Sequence, residues 1–155
     1  MPDRIRRARP DEADALSALA FRSKAHWDYG ADFLALWRAE MRLHPDEIAQ
    51  HEVWVAESSG GVPVGYHRVI AGDPAELEDL WVEPDALGAG VGRGLFEHAV
   101  NVAVGLGASA LEIVSDPHAV GFYERMGAVV IGEVPSMLVP GRTLPRMRLD
   151  LPPRR

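Results

Sequence analysis

The chain has 155 residues, 47% hydrophobic and 25% charged, and its net charge is −7 from 16 basic and 23 acidic residues. Those figures describe one ordinary globular domain with a single core, and the acidic excess argues against broad binding to nucleic-acid phosphates. The absence of cysteine excludes disulfides, thiolate metal sites and a thiol nucleophile. No apolar leader and no run of about 18 apolar residues occurs, so no membrane association and a cytoplasmic location are expected.

In chain order, residues 5–9 read as a short edge strand, and Pro10-Asp11-Glu12 opens a helix with acidic residues in its first turn. The polar and aromatic segment 22–30 follows, then a second helix over 32–43 and a short third one from Pro45. Strands over 53–57 and 63–70 are joined through Ser58-Ser59-Gly60-Gly61, a hairpin signal. A further strand ends at Leu80-Trp81-Val82, and Pro84 stops it, because proline cannot donate to a sheet ladder. A helix over 91–104 leads to a strand over 110–114. Asp116 and Pro117 then start another helix that Gly127 ends. Strands over 128–134 and 143–151 follow, with 152–155 as a loose tail. The expected order is β-α-α-β-β-β-α-β-α-β-β, an α/β domain over residues 1–155 with a mixed sheet.

Chemistry concentrates in residues 76–96, ELEDLWVEPDALGAGVGRGLF. Gly88, Gly90, Gly92 and Gly94 stand at every second position between a strand and a helix. Glycines there bare backbone N–H groups at the positive end of a helix dipole, which suits a pyrophosphate. A dinucleotide fingerprint fails, because its last glycine position falls on Arg93 or Leu95, and no Gly-Lys-Ser/Thr is present for a P-loop.

Leu87, Gly88, Ala89, Gly90, Val91 and Gly92 resemble the acyl-CoA loop of the GCN5-related N-acetyltransferases (the GNAT family), except that Leu87 stands where Arg or Gln is usual. Residues 116–127, DPHAVGFYERMG, resemble the second signature of that family. Ala119, Phe122, Tyr123, Glu124 and Gly127 match it, while Asp116 replaces Asn and Ala128 replaces Phe. The opening strand and helix are also similar, so the resemblance covers nearly the whole chain. The segments 23–29 and 132–145 resemble a bacterial subgroup of the family.

The resemblance implies a sheet of about seven mostly antiparallel strands, flanked by helices and splayed between strands four and five. It implies acetyl transfer from acetyl-CoA, the co-substrate, to an amine. The backbone of Leu80, Trp81 and Val82 would bond the pantetheine arm, and the loop with Arg93 would hold the pyrophosphate. Ala119 and Phe122 would belong to the same binding region. Tyr123 would be the general acid for the leaving thiolate. Asp116 would cap its helix or contact CoA. Glu76 and Glu78 share parity with Leu80 and Val82, so either could be the base. Without cysteine, direct transfer in a ternary complex is the simplest route. The six histidines show no metal spacing, and no metal is expected. His67 could reach the acceptor, and His98 reads as a surface or packing residue.

Lys24, His26, Trp27 and Tyr29 are expected to line the acceptor pocket, with Lys24 pairing an anion on the acceptor. The acceptor is a small-molecule or protein amine, and a homodimer is compatible with the chain. A non-catalytic acyl-CoA sensor of the same fold is the alternative.

Overall fold

A computed structural model describes residues 4–153, so the end of the expected loose tail lies outside the described residues. Seven strands form one sheet in the order β1-β2-β3-β4-β5-β7-β6. They are β1 (Arg4–Arg7), β2 (Glu52–Glu57), β3 (Pro63–Ile70), β4 (Ala75–Val82), β5 (Ala110–Val114), β6 (Val129–Pro135) and β7 (Thr143–Asp150). The helices are α1 (Ala13–Ala25), α2 (Ala31–Glu40), α3 (Pro45–Gln50), α4 (Val91–Gly105) and α5 (Val120–Arg125). The expected α/β architecture is present, with small shifts of boundary. The first strand stops at Arg7 because Pro10 already begins a 3-10 turn. Residues 117–119 form a separate 3-10 turn ahead of α5.

Every strand pairing is antiparallel except that of β4 with β5. That parallel pair holds only at Ala75 with Leu111 and Glu76 with Glu112. The β3–β4 register supplies the reason: Val69 pairs with Leu77 and Arg68 with Asp79, which leaves Glu78 as an extra, bulged residue. A bulge bends and over-twists its strand. β5 instead follows β7 along its whole length, from Ala110 to Val114. The two strands therefore part after Glu76, and a wedge opens between them toward their C-terminal ends.

Apolar side chains fill both faces of the sheet. On one face Leu95, Phe96, Ala99 and Ala103 of α4 recur at helical spacing and are buried. Phe96, Ala99 and Ala103 join Val69, Leu77, Leu111, Ile113, Tyr123 and Met147 in one cluster, while Leu95 packs with Val82 and Val91. On the other face Leu16 and Leu19 of α1 and Trp37 of α2 pack with Val53, Val55 and Tyr66.

α4 lies close on β3 because Gly65 has no side chain. A Cβ there would come within 2.8 Å of both the Trp81 carbonyl oxygen and Leu95 Cδ1. Gly65→Ala is expected to destabilise the protein by about 1–3 kcal/mol through overpacking. A Cβ at Gly132 meets nothing within 4 Å, so Gly132→Ala should stay within about 0.5 kcal/mol. Urea unfolding of the two variants checks both.

Candidate active site

Within the wedge, the direction of the β4 backbone follows from one bond. Glu83 N–H donates to the Val64 carbonyl at 2.8 Å, toward β3. Backbone groups alternate along an antiparallel ladder, so Trp81 also faces β3, while Leu80 and Val82 turn their N–H and C=O groups toward the side β5 has left. Of the three expected backbone contacts, two thus line the wedge. Trp81 instead sends its ring to the α1–α2 face, edge-on to Trp37 at 5.3 Å.

The glycine loop meets the same end of β4. A 3-10 turn over Pro84–Ala86 is followed by exposed Leu87. Gly88 and Gly90 both have left-handed backbone, φ 82 and 81, and Gly90 is the N-cap of α4. Gly94 N–H donates to the Gly90 carbonyl at 3.0 Å. The N–H groups of Val91, Gly92 and Arg93 precede it in the first turn, where a helix offers them no acceptor of its own. Val91 is buried and anchors the turn. At Gly92 a Cβ would touch Phe122 at 3.5 Å and Val82 at 3.7 Å, so the helix start, β4 and α5 converge there. Arg93 is exposed and pairs with Glu97 at 3.0 Å. It also borders a cleft of about 720 Å³ between α4 and α5, lined further by Phe96, Phe122, Arg125 and Met126. Open backbone donors beside a partly apolar cleft that Arg93, Glu97 and Arg125 border fit the pyrophosphate and arm of acetyl-CoA.

The parity expected for the glutamates fails at the bulge. Glu76 lies before it, opposite Ile70, on the face of Asp79 and Trp81, whereas Leu80 pairs with His67 on the α4 face. The Glu76 carboxylate is also bound by Arg146 at 3.1 Å, and Arg146 bridges to Glu112 at 2.8 Å. Glu78, on the bulge, has no ion-pair partner among the described residues. More than a third of its surface is exposed, yet partial burial of the carboxyl, then the charge of Asp79, raise its pKa above the ordinary glutamate value. Asp79 was not foreseen. It accepts from Arg68 Nε at 2.8 Å and Trp81 Nε1 at 3.2 Å, and Arg68 also donates to Glu47 at 2.6 Å.

Tyr123 is 6% exposed and packs on Phe96 and Phe122, with ring centres at 5.7 and 5.3 Å. Burial, then the charges of Asp79 and Asp116, push its pKa well above the ordinary tyrosine value. Those two carboxylates sit on β4 and just beyond β5, so the hydroxyl lies under the influence of both lips of the wedge.

At the mouth, Lys24 and Asp116 meet each other. Lys24 is 6% exposed, and its ammonium forms an ion pair with Asp116 Oδ2. It cannot serve an acceptor anion while that carboxylate holds it. Asp116 in turn caps its helix by accepting His118 N–H at 2.8 Å, and Tyr29 donates to it at 2.7 Å. Burial opposes its charge, but these bonds prevail and hold its pKa down at about 2. Asp116 is therefore the helix cap, one of its two expected roles, and also anchors Lys24 and Tyr29. Around Lys24 Nζ stand the rings of Tyr29 at 4.5 Å, Phe33 at 5.6 Å, Trp37 at 5.8 Å and Trp81 at 6.0 Å.

Trp27 stacks on His118 at 4.9 Å, while exposed His26 touches only the edge of Trp27 at 5.1 Å. Tyr29 and Trp27 are thus gathered with His118, which sequence reasoning missed, and His26 stands outside. His67 faces α4, fully buried, with Nε2 2.9 Å from His98 Nδ1. Burial, then His98, push its pKa down to about 3. It is a neutral core residue away from the acceptor side.

A mixed sheet opened at its one parallel pair, beside a glycine-started helix, is the architecture of an acyl-CoA-dependent transferase. Residues 19–128 match the model of the acetyltransferase (GNAT) family, and the chain belongs to that family as an N-acetyltransferase. It is 36% identical over 152 residues to the peptidyl-lysine N-acetyltransferase YjaB of Salmonella typhimurium, covering 96% of this chain and 97% of that one. A GCN5-related N-acetyltransferase from Rhodopseudomonas palustris has the same fold, with TM-score 0.79 and 23% identity, and 97% of this chain and 96% of that chain are covered. The PaiA N-acetyltransferase of Thermoplasma acidophilum, solved in complex with coenzyme A, superposes with TM-score 0.77 at 16% identity, over 95% and 98% of the two chains. Among the described residues no helix is long and apolar enough to cross a membrane.

Gly90→Asp would put a Cβ on left-handed backbone and a carboxylate at the helix start. Affinity for acetyl-CoA should fall at least about tenfold, roughly 1.4 kcal/mol, with the fold retained. Calorimetry measures this, and unchanged affinity would remove the loop from the binding site.

Proposed function

We propose that the chain acetylates the side-chain amine of a lysine in a peptide or protein, by direct transfer from acetyl-CoA in a ternary complex. The observation that carries this reading is the wedge. It frees the Leu80 and Val82 backbone on the strand that carries Glu78, a carboxylate of raised pKa, and Leu80 packs against the cluster that holds Tyr123, whose own pKa burial raises. The curated relative that is similar over nearly the whole chain, a peptidyl-lysine acetyltransferase, supports the acceptor class.

Acetyl-CoA supplies an activated acetyl thioester. The loop N–H groups and Arg93 hold its phosphates, and Val82 orients its arm. Leu80 N–H donates to the acyl oxygen as negative charge gathers there, the role of a preorganised donor. Glu78 takes a proton from the acceptor ammonium, directly or through water, because its raised pKa improves the match to that proton. Tyr123 gives a proton to the departing sulfur. The bond from Arg146 to Glu76 favours Glu78 over Glu76 as the base.

The test is incubation of the protein with acetyl-CoA and a lysine peptide, with mass spectrometry locating the acetyl group on the ε-amine. Intersecting lines in two-substrate kinetics support the ternary complex, and parallel lines would overturn it.

Tyr123→Phe keeps the ring packing and loses the hydroxyl. Turnover should fall by about a hundredfold or more while acetyl-CoA binding is unchanged. A variant with full turnover, in an assay limited by chemistry, would make Tyr123 a packing residue.

Glu78 works as the base only when deprotonated. With its pKa raised, kcat/KM should fall as pH drops through a value above that of an ordinary glutamate. Glu78→Gln should abolish that acidic limb and lower turnover by about a hundredfold. An unchanged pH profile would assign the base elsewhere.

A further inference from the structure

The loop joining β6 to β7 folds back on the acceptor side of the wedge. Ser136 N–H donates to the Arg142 carbonyl at 2.7 Å, and Arg142 N–H donates to the Val139 carbonyl at 3.2 Å. Leu138 packs on the core beneath α1 and α2. The Arg142 backbone is thus held, and its guanidinium reaches the segment after α1. Nη2 lies 3.4 Å from the Tyr29 hydroxyl, and Cζ lies 5.1 Å from the Phe33 ring centre and 5.6 Å from that of Tyr29.

The charge around this guanidinium is unbalanced. Among the described residues, the other partly or fully buried arginines each hold two carboxylates. Arg6 binds Glu12 and Glu57, and Arg68 binds Glu47 and Asp79. Arg146 binds Glu76 and Glu112, and Arg148 binds Glu112 and Asp150. Arg142 is half-buried and forms no ion pair among the described residues. Scarcity is not the cause in a chain with 23 acidic residues. The acid linked to it through Tyr29 is Asp116, which is already engaged by Lys24, Tyr29 and His118. Asp116 pairs with Lys24, and Arg142 reaches that group only through the Tyr29 hydroxyl, so its own charge is left unpaired among the described residues. A planar guanidinium left over in this way is shaped for a bidentate carboxylate.

We propose that Arg142 binds a carboxylate on the acceptor, so that the lysine to be acetylated lies beside an aspartate or glutamate in its peptide. The inference rests on the peptidyl-lysine reading above and names the sequence context of that lysine. Arg142 takes the anion-reading role that Lys24 cannot fill, because the Lys24 charge is neutralised within the protein.

The experiment uses the full chain, acetyl-CoA and three peptides that differ only in the residues flanking one lysine: Glu, Gln or Arg. The wild-type protein should favour the Glu peptide over the Gln peptide by about tenfold in kcat/KM, chiefly through KM. Added salt should shrink that preference. Arg142→Gln should bring the ratio close to one, and Arg142→Glu should reverse it in favour of the Arg peptide. The ratio is read within each variant, so a general loss of activity cancels. A ratio that survives Arg142→Gln overturns the proposal and leaves the guanidinium as a packing partner of Tyr29 and Phe33. Equal turnover of all three peptides by the wild-type protein overturns it too, while leaving the lysine-acetylating function standing. Failure to acetylate any peptide overturns the acceptor reading and this proposal with it.

Discussion

Everything functional in this fold depends on how briefly β4 and β5 stay together. They pair at two positions and then separate. The one parallel contact of the sheet therefore acts as a joint between two antiparallel halves. It is an awkward joint, because Glu76 and Glu112 sit directly opposite one another there, and like charges across a pair are unfavourable. Arg146 lies between them and bonds both. Beyond the joint, the bulge at Glu78 carries β4 away, and the ion pair of Lys24 with Asp116 ties α1 to the far lip. The wedge is thus pinned at its closed end by one charge network and framed at its open end by another.

The same geometry separates the proton-handling groups. The bulge places Glu78 out of the ladder and near Asp79, so its proton is retained to a higher pH than an isolated glutamate would allow. Tyr123 rises from the opposite side of the sheet, on α5, where burial disfavours its phenolate. A carboxylate and a phenol thus stand on different layers of the sheet, and both have their pKa raised chiefly by desolvation.

Much of this could be read from residues close in sequence. The glycine spacing, Pro84 and the apolar period of α4 are local signals, and they placed the loop and the helix that follows. The signature from Asp116 to Gly127 likewise located Tyr123. What escaped reading depends on partners far along the chain. The bulge is set by the pairing of β4 with β3, and strand parity alone assigned Glu76 to the wrong face. Lys24 and Asp116 meet across 92 positions, so each looked free for a ligand. Arg142 lies in a Pro-Gly turn with no periodic pattern around it, and only the absence of a carboxylate beside its folded position sets it apart.

Lys24 is the only lysine in the chain, among 16 basic residues, and it is buried in its ion pair. The remaining cationic side chains are arginines, whose guanidinium stays protonated and has no free lone pair with which to attack a thioester. The protein therefore presents no exposed ε-amine to its own reagent. It can work in a bath of reactive thioester while its surface charge stays constant, and the modification it installs on others has almost nowhere to land on itself.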